Sequence, residues 1–506
     1  MATLLRLPFF VLLMGVGALA MLVPAAHAVV LRDFETMRIF FYGFILFSVL
    51  TTVLALTTAS HRPESVVRSQ LVGLVAAFSA LPIMFAVPFA AAVEDTTFFD
   101  AWFEMVSSFT TTGATVYEES GRLTLSQHLW RALVGWLGGL LMWITAVSIF
   151  APMNLGGFEV RADARSGAGD LSTVGQIGRV ADPSERLARF TGTLAPIYLG
   201  LTATLWVGLV IAGELPSIAL IHAMSTLATS GISAIDGLYQ STSSIASEVL
   251  IFIFFVFALS RLTFSKGVAG ETNRGFWHDP ELGMAAALIG LVTFALFLRH
   301  FVGAAASDSQ YDFAAVMSAL WGALFTVTSF LTTTGFESRA WLATADWSGL
   351  TTPGLFLIGM ALIGGGVATT AGGVKLLRIY ALYRHSEREQ DILLHPSSVG
   401  GGGKDARRIR RRGAYISWVF FMLFAISIAV VMLLVSLTGV QFDVAMTLAV
   451  ASLSTTGPLA NVAAELPISY SGLPEAAKLI LAAAMILGRL EALAIIALLN
   501  PEIWRR

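Results

Sequence analysis

The chain has 506 residues, 56% of them hydrophobic and 13% charged, with a formal net charge of −2 and a mean hydropathy of +0.77. A soluble protein carries roughly twice that charged fraction, so a soluble globular domain is excluded, and so small a net charge says nothing about partners. The absence of cysteine excludes disulfides, thiolate metal sites and a cysteine nucleophile.

Apolar runs of about 20 residues or more match the length needed to cross a hydrocarbon core of about 30 Å. Ten spans are predicted, at 4–30, 37–58, 66–94, 129–152, 190–213, 246–265, 282–303, 352–383, 414–438 and 474–499. The first begins ambiguously. Arg6, the apolar run Leu7 to Pro24 and Ala26-His27-Ala28 also fit a cleavable signal peptide. An uncleaved first helix is the reading taken, because a chain of many spans does not need a cleaved signal, and cleavage stays open.

Four short polar segments end alike: Ser107 to Gly113, Ser225 to Gly231, Thr328 to Gly335 and Ala451 to Gly457. Each lies between two apolar spans, and they recur at intervals of roughly 100 to 120 residues. The expected fold is an all-α polytopic membrane protein. Its ten spans form an N-terminal helical pair plus four helix–pore loop–helix repeats, in pseudo-four-fold arrangement around one pore. The corresponding divisions are 1–60 for the N-terminal two-helix segment and 61–158 for the first repeat. A cytoplasmic loop and the second repeat take 159–265, and the third repeat takes 266–385. A basic cytoplasmic loop (386–413) and the fourth repeat (414–506) follow.

Lys and Arg set the orientation. Ten of them lie between Lys375 and Gly413, among them Arg407, Arg408, Arg410, Arg411 and Arg412. Five arginines fall between Glu159 and Phe190, and Arg505 and Arg506 end the sequence. With ten spans all of these share one side with the N-terminus, which is assigned to the cytoplasm, and the four segments open outward. The basic loop also fits a patch for anionic lipid or nucleic acid; setting topology is the preferred role.

Backbone at membrane depth is tolerated out of a helix only when it is buried in protein or lines water. A loop such as Thr110-Thr111-Thr112-Gly113 therefore points to a cavity lining whose carbonyls can replace the water around a dehydrated potassium ion. Glycine permits a positive φ that turns carbonyls toward the axis. The preceding stretch, Ala101 to Ser107, is long enough for a short helix whose C-terminal end favours a cation. The ordinary alternative, a turn or helix cap, fits one copy better than four.

The eighth span is interrupted. Ile363 to Lys375 holds five glycines, each costing about 1 kcal/mol against alanine in a helix, and a break at this depth is a functional pointer. Close helix packing through small residues is the alternative. Arg489 lies in the tenth span eleven residues beyond Lys478, about 17 Å along a helix, which is too deep for easy snorkelling. Such an arginine costs at least about 2.5 kcal/mol on insertion scales. It is expected to face the pore, with an interhelical salt bridge as the alternative; Glu491, two residues on, points elsewhere.

These residues carry a resemblance. The chain resembles the Trk/Ktr/HKT superfamily of potassium transporters, most closely its bacterial TrkH/TrkG subunits. The matching motifs are Ser108 to Ala114, Trp130-Arg131 with Trp136 to Gly139, Ser225 to Ser233, Ser329 to Phe336, Gly364 to Lys375 and Leu487 to Glu491. The resemblance spans essentially the whole chain, and the extra N-terminal pair is of the TrkH type. It implies a potassium filter at Thr111, Thr112, Gly113, Thr229, Ser230, Gly231, Thr333, Thr334, Gly335, Thr455, Thr456 and Gly457. Glycine at all four terminal positions favours potassium over sodium. It also implies a gate in the loop 364–375, through Gly364, Gly365, Gly366, Thr369, Thr370, Gly372, Gly373 and Lys375, with Arg489 as a barrier below the filter. The second and fourth segments, Ala-Thr-Ser-Gly and Ser-Thr-Thr-Gly-Pro458, depart from the Thr-Thr-Thr-Gly of the other two.

The implied protein is a homodimer in a bacterial inner membrane, in contact with lipid, with both termini cytoplasmic. A TrkA-like nucleotide-binding subunit controls it. Potassium is substrate, no cofactor is implied, and nucleic acid is not a partner. The chain itself lacks a nucleotide site, since Gly400 to Lys404 misses the Ser/Thr and earlier glycine of a phosphate loop. An enzyme is disfavoured: none of the eight histidines is paired at helical ligand spacing and no paired intramembrane carboxylates occur. A sodium-transporting or cation-coupled member of the same superfamily is the nearer alternative.

Overall fold

The computed structural model describes residues 7–58, 66–153, 157–158, 183–238, 245–260, 279–304, 313–350, 352–395, 411–464 and 466–491. Among them every regular element is helical. Helices α1 (Phe9–Val30, interrupted at Met21) and α2 (Phe34–Thr58) form the N-terminal pair. Next come α3 (Val66–Ala92), the shorter α4 (Phe98–Phe109) and α5 (Leu125–Met153). Then follow α6 (Pro183–Ile211), the shorter α7 (Pro216–Ala228) and α8 (Ile245–Leu259). The third group is α9 (Pro280–Ala304), α10 (Phe313–Leu331), the small α11 (Trp341–Ser348) and α12 (Gly354–Ile363). After α13 (Leu376–Leu394) the last group is α14 (Arg411–Ser436), α15 (Phe442–Leu453) and α16 (Glu475–Leu490).

Among the described residues seven helices, α1, α2, α3, α5, α6, α9 and α14, are long and apolar enough to cross a membrane. The other three predicted spans correspond to shorter helices. The span predicted at 352–383 is two helices, α12 and α13, separated by non-helical backbone over 364–375, where the glycines sit. The span predicted at 474–499 does not continue as one helix: α16 stops at Leu490, and Glu491 takes a φ of 58°. The remainder of that span, residues 261–265, the arginines at 161, 165, 179, 407, 408, 410, 505 and 506, and the Gly400 to Lys404 run lie outside the described residues.

Local chemistry starts these helices where it does. Asp33 accepts from the Thr36 N–H at 3.1 Å and begins α2. Thr97 accepts from the Asp100 N–H at 3.1 Å at the head of α4. Thr124 and Gln127 form a reciprocal capping box that starts α5 four residues before the predicted boundary. Pro216 occupies the first turn of α7, where its missing N–H costs nothing.

Aromatic packing joins the N-terminal pair to the rest. Phe40 of α2 and Phe85 of α3 both meet the buried Trp130 of α5 edge to face, at 5.4 and 5.6 Å. Phe109, the last residue of α4, packs against Phe78 and Phe85 at 4.9 and 5.5 Å. α4 sits close to α5 because Gly138 has no side chain: a Cβ there would run into the Phe109 carbonyl. Gly488 of α16 makes the same allowance for the Leu453 carbonyl of α15.

Buried charge sits just beside these short helices. Glu104 of α4 is 1% exposed; it takes two bonds from Arg131, at 2.6 and 2.7 Å, and one from the Val116 N–H at 3.0 Å. Glu248 of α8 accepts from Trp321, Ser338 and the Arg339 N–H, all within 2.9 Å. Segments distant in sequence are tied to one another as well. Ser120 donates to Asp236 at 3.1 Å, Lys478 pairs with Asp100 at 2.7 Å, and Glu118 accepts from Ser469 and from Ser471.

Removing one partner of a buried, hydrogen-bonded ion pair leaves the other charge uncompensated, a loss of about 3–5 kcal/mol. Arg131→Ala should therefore lower stability by about that amount in thermal unfolding of the detergent-solubilised protein; a loss below ~1 kcal/mol would show that Glu104 is satisfied without it. Glu118 gives a pH test. Partial burial pushes its carboxyl up, but the hydroxyls of Ser469 and Ser471 and the Ser471 backbone outweigh this and hold it below its ordinary 4.5. A lowered carboxylate contributes stability that is complete above its ordinary value and fades as pH falls through the lowered one. The stability difference between the protein and its Ser469→Ala/Ser471→Ala variant should be present at pH 7 and shrink below about pH 4. A difference independent of pH would remove Glu118 from this account.

Candidate functional site

The four glycine-ended segments follow the four short helices α4, α7, α10 and α15, and each begins with the same helix cap. The N–H one residue before the glycine bonds back to the carbonyl six residues before it: Thr112 to Ser107, Ser230 to Ser225, Thr334 to Ser329 and Thr456 to Ala451, at 2.8 to 2.9 Å. The N–H two residues before the glycine bonds to the carbonyl five before it: Thr111 to Ser108, Thr229 to Thr226, Thr333 to Phe330 and Thr455 to Ser452, at 2.9 to 3.2 Å. This pair of bonds is the Schellman motif, which places one residue in the left-handed region. That residue is ordinarily glycine. Here it is threonine all four times: Thr111 at φ 56°, Thr229 at 53°, Thr333 at 55° and Thr455 at 54°. A β-branched residue there is a genuine outlier, costing roughly 1–2 kcal/mol, and strain of this kind concentrates at functional sites.

Sequence reasoning expected a positive φ at the four glycines. Three have it: Gly113 at 73°, Gly231 at 64° and Gly335 at 80°. Gly457 does not, because the residue before a proline is restricted toward extended backbone and Pro458 follows. Glycine is needed there for close approach instead, since a Cβ would run into Ala114.

The segments close a ring in chain order. A Cβ on Gly113 would strike the Ser230 carbonyl, and one on Gly231 the Thr334 carbonyl. One on Gly335 would lie 2.9 Å from Cγ of Pro458, and Gly457 returns to the first segment by donating its N–H to the Thr112 carbonyl at 2.6 Å. Thr112, Ser230, Thr334 and Thr456 are buried beside their glycines. The hydroxyls of Thr111 and Thr455 are buried without a hydrogen-bond partner.

Immediately beneath runs the loop 364–375, buried throughout. The Gly372 N–H donates to Oγ1 of Thr333 at 2.7 Å, and Oγ1 of Thr370 donates to the Leu227 carbonyl at 2.9 Å. A Cβ on Gly372 would strike the Ser454 carbonyl. The loop thus touches the ends of α7, α10 and α15. Its own conformation is fixed from the other side: Gly366 donates to the Ala258 carbonyl at 2.9 Å and Val367 to Glu281 at 3.1 Å. Gly364, Gly373 and, unusually, Lys375 have positive φ, at 73°, 76° and 86°. Gly365 abuts the Ala258 carbonyl, and Thr369 donates to the Gly366 carbonyl at 2.7 Å.

Arg489 comes to this loop. Its Nη1 donates to the Thr370 carbonyl at 2.6 Å, while Nε and Nη2 are buried without a hydrogen-bond partner. Lys375 donates to the Ala371 carbonyl. Glu491 pairs with Arg378 at 2.7 Å and not with Arg489. Two buried cationic groups therefore lie directly under the ring.

All the residues expected at the filter and the gate thus lie in one stack, ring above loop above Arg489. Three groups were not anticipated: the left-handed threonines, the unpaired guanidinium nitrogens, and the polar side chains behind the ring. Nothing in a threonine signals the left-handed region. The third group did carry a signal. Nine residues before the glycine, on otherwise apolar helices, stand Glu104, His222 and Thr326. Glu104 and Thr326 accept from the Val116 and Ser338 N–H groups, and His222 meets the Ser233 hydroxyl, all in the segments leaving the ring.

No group of three or more His, Asp or Glu side chains suited to a metal occurs among the described residues. The family model for TrkH, a cation transport protein, matches residues 36–505. The chain is 29% identical over 504 residues to the Trk system potassium uptake protein TrkH of Vibrio parahaemolyticus serotype O3:K6, covering 98% of each chain. It is 30% identical over 493 residues to the protein of the same name from Salmonella typhimurium, covering 96% of each. The crystal structure of the potassium transporter TrkH from Vibrio parahaemolyticus superposes with a TM-score of 0.80 at 26% identity, over 98% of both chains. With this much of its length matched, the chain belongs to the TrkH family of cation transport proteins, a family of transporters and not of enzymes.

Proposed function

We propose that this protein takes up potassium across the cytoplasmic membrane of a bacterium through one pore whose selectivity filter is the ring ending at Gly113, Gly231, Gly335 and Gly457. The observation that carries the proposal is the ring itself: four capped helix ends, each touching the next and the fourth touching the first. The names of the potassium-uptake relatives support the ion. Helix C-termini carry partial negative charge, and four of them aimed at one ring favour a cation. Backbone carbonyls held there replace its water.

In this reading the chain crosses the membrane ten times, through the seven long helices together with α8, α12 and α16, and the four helix–loop–helix units surround the pore with pseudo-four-fold symmetry. α12 is short because its lower half is replaced by the loop 364–375, which is tolerable at membrane depth only because protein buries it. The loop is the gate. It occludes the path under the ring, and Arg489 and Lys375 add a positive barrier. Opening requires the bonds from Thr370 and Gly372 to the ring's helices, and from Arg489 to Thr370, to be released together. Both termini are cytoplasmic. The protein works as a homodimer in contact with lipid and is controlled by a TrkA-like nucleotide-binding subunit acting from the cytoplasmic side, where α13 leaves the gate loop.

The test is tracer rubidium uptake into potassium-loaded liposomes containing the purified protein. External potassium should block uptake and external sodium should not; equal block by sodium would make it a sodium-transporting or non-selective member. Gly113→Ser places a side chain against the Ser230 carbonyl and should weaken discrimination by roughly tenfold, a change of about 1.4 kcal/mol. Unaltered discrimination would exclude Gly113 from the filter. Arg489→Ala should raise uptake in the absence of any partner, several-fold above the parent protein. If it folds and conducts like the parent, the gate is elsewhere.

A further inference from the structure

Behind the second filter segment lies a buried polar chain. Glu214, in the turn between α6 and α7, faces Nδ1 of His222 at 2.8 Å. Nε2 of His222 faces Oγ of Ser233 at 2.9 Å. Ser233 lies two residues past Gly231. Its Oγ is 3.0 Å from the Gly237 carbonyl and accepts the Ile235 N–H at 3.1 Å. The His222 ring is 0% exposed and the Glu214 side chain 1%.

Counting protons fixes the direction of these bonds. Ser233 has one hydroxyl hydrogen, and the Gly237 carbonyl can only accept it. Nε2 of His222 must then donate to Ser233. The hydrogen on Nε2 of His222 is assigned on that ground. Nδ1 shares a hydrogen bond with the Glu214 carboxyl group. The chain of bonds runs from Glu214 through His222 and Ser233 to the Gly237 carbonyl, with Nε2 of His222 donating to Ser233 and Ser233 donating to Gly237. On its other side the His222 ring meets Phe336 edge to face at 5.7 Å, and Phe336 directly follows Gly335. One side chain thus braces the exits of two neighbouring filter segments. Of the other buried charged groups near the ring, Glu104 is engaged with Arg131, and Glu248 with Trp321, Ser338 and Arg339.

We infer that His222 is a positioning residue for ion discrimination: through Ser233 and Phe336 it holds the backbone on the outer side of Gly231 and Gly335 at the spacing that distinguishes potassium from sodium. The inference rests on the filter reading above. The second segment, Ala-Thr-Ser-Gly, lacks the Thr-Thr-Thr of the first and third, whose hydroxyls bond across one residue (Thr110 to Thr112 at 2.8 Å, Thr332 to Thr334 at 3.0 Å); its Ser230 hydroxyl instead meets that of Ser225 on the helix, at 3.1 Å. The His222 chain ties the exit of this segment from behind, through Ser233.

The experiment is the liposome rubidium assay on His222→Ala, Ser233→Ala, the double variant His222→Ala/Ser233→Ala, and the paired variant Glu214→Gln/His222→Gln. Glutamine at both positions keeps the donation to Ser233 without charge: the amide N–H at 222 stands where Nε2 does, and its amide oxygen accepts from the amide at 214. His222→Ala should let sodium compete about fivefold better while rubidium uptake continues, the change that one lost hydrogen bond brings. Ser233→Ala should do the same, and the double variant should be no worse than either alone. The glutamine pair should restore discrimination. A purely structural histidine would lower uptake of both ions together, and the glutamine pair would not repair it; that result overturns the inference, as does unchanged discrimination in Ser233→Ala. If the parent protein itself fails to prefer potassium, the filter reading fails; if the parent discriminates and the variants match it, only the His222 inference fails.

Discussion

Four helices end in the middle of this molecule, and the carbonyls and N–H groups at those ends have no bulk water to bond to. That constraint governs the rest. A buried, unpaired backbone group costs as much as a lost hydrogen bond or more, so every end must be closed by the chain itself. The closure is the same four times, a Schellman cap with threonine in the left-handed position. The cap turns the chain sharply back toward the side from which the helix came. The turn brings four glycine-ended strands together, and the strands touch because glycine lets each approach the next. Gly138 and Gly488 on the flanking helices extend the same logic outward, since without them α4 and α15 could not reach the centre.

Charge is distributed about this centre with a clear polarity. Beside and above the ring, the buried charges are fully engaged: Glu104 by Arg131 and Val116, Glu248 by three donors, His222 by Glu214 and Ser233. Each of these ties a helix to the strand that leaves the ring. Below the ring two cationic groups are less completely matched, with two Arg489 nitrogens lacking a hydrogen-bond partner and Lys375 bonded to a carbonyl. Stiff, satisfied networks hold one geometry, whereas a guanidinium with spare donors, held to a glycine-rich loop, has alternatives at small energetic difference. Rigidity above and adjustability below is the division of labour that the proposed filter and gate require.

Much of this was legible in the linear sequence. The long apolar runs marked most of the helices, and the four glycine-ended segments marked the centre by repetition. The glycine cluster at 364–373 marked the break between α12 and α13. The boundary of α5 was missed although Thr124 and Gln127 announce it, because hydrophobicity alone places the start at the first apolar residue and the cap lies before it. The end of α16 was missed for a different reason: Glu491 is pulled out of the helical conformation by its pairing with Arg378, 113 residues earlier in the chain.

Residue type and spacing therefore determined what the molecule is made of: helices of membrane length, four interruptions of one kind, one interruption of another, and a lone deep arginine. Those features depend on local backbone preference and on water avoidance, which a sequence carries directly. Only the tertiary structure decided that threonine and not glycine takes the left-handed position. It alone showed that Gly457 serves close approach and not a positive φ, that Arg489 meets Thr370, and that His222 is shared between two segments. The last three are contacts between residues more than a hundred apart in sequence, set by how helix ends converge, and no local pattern encodes that convergence.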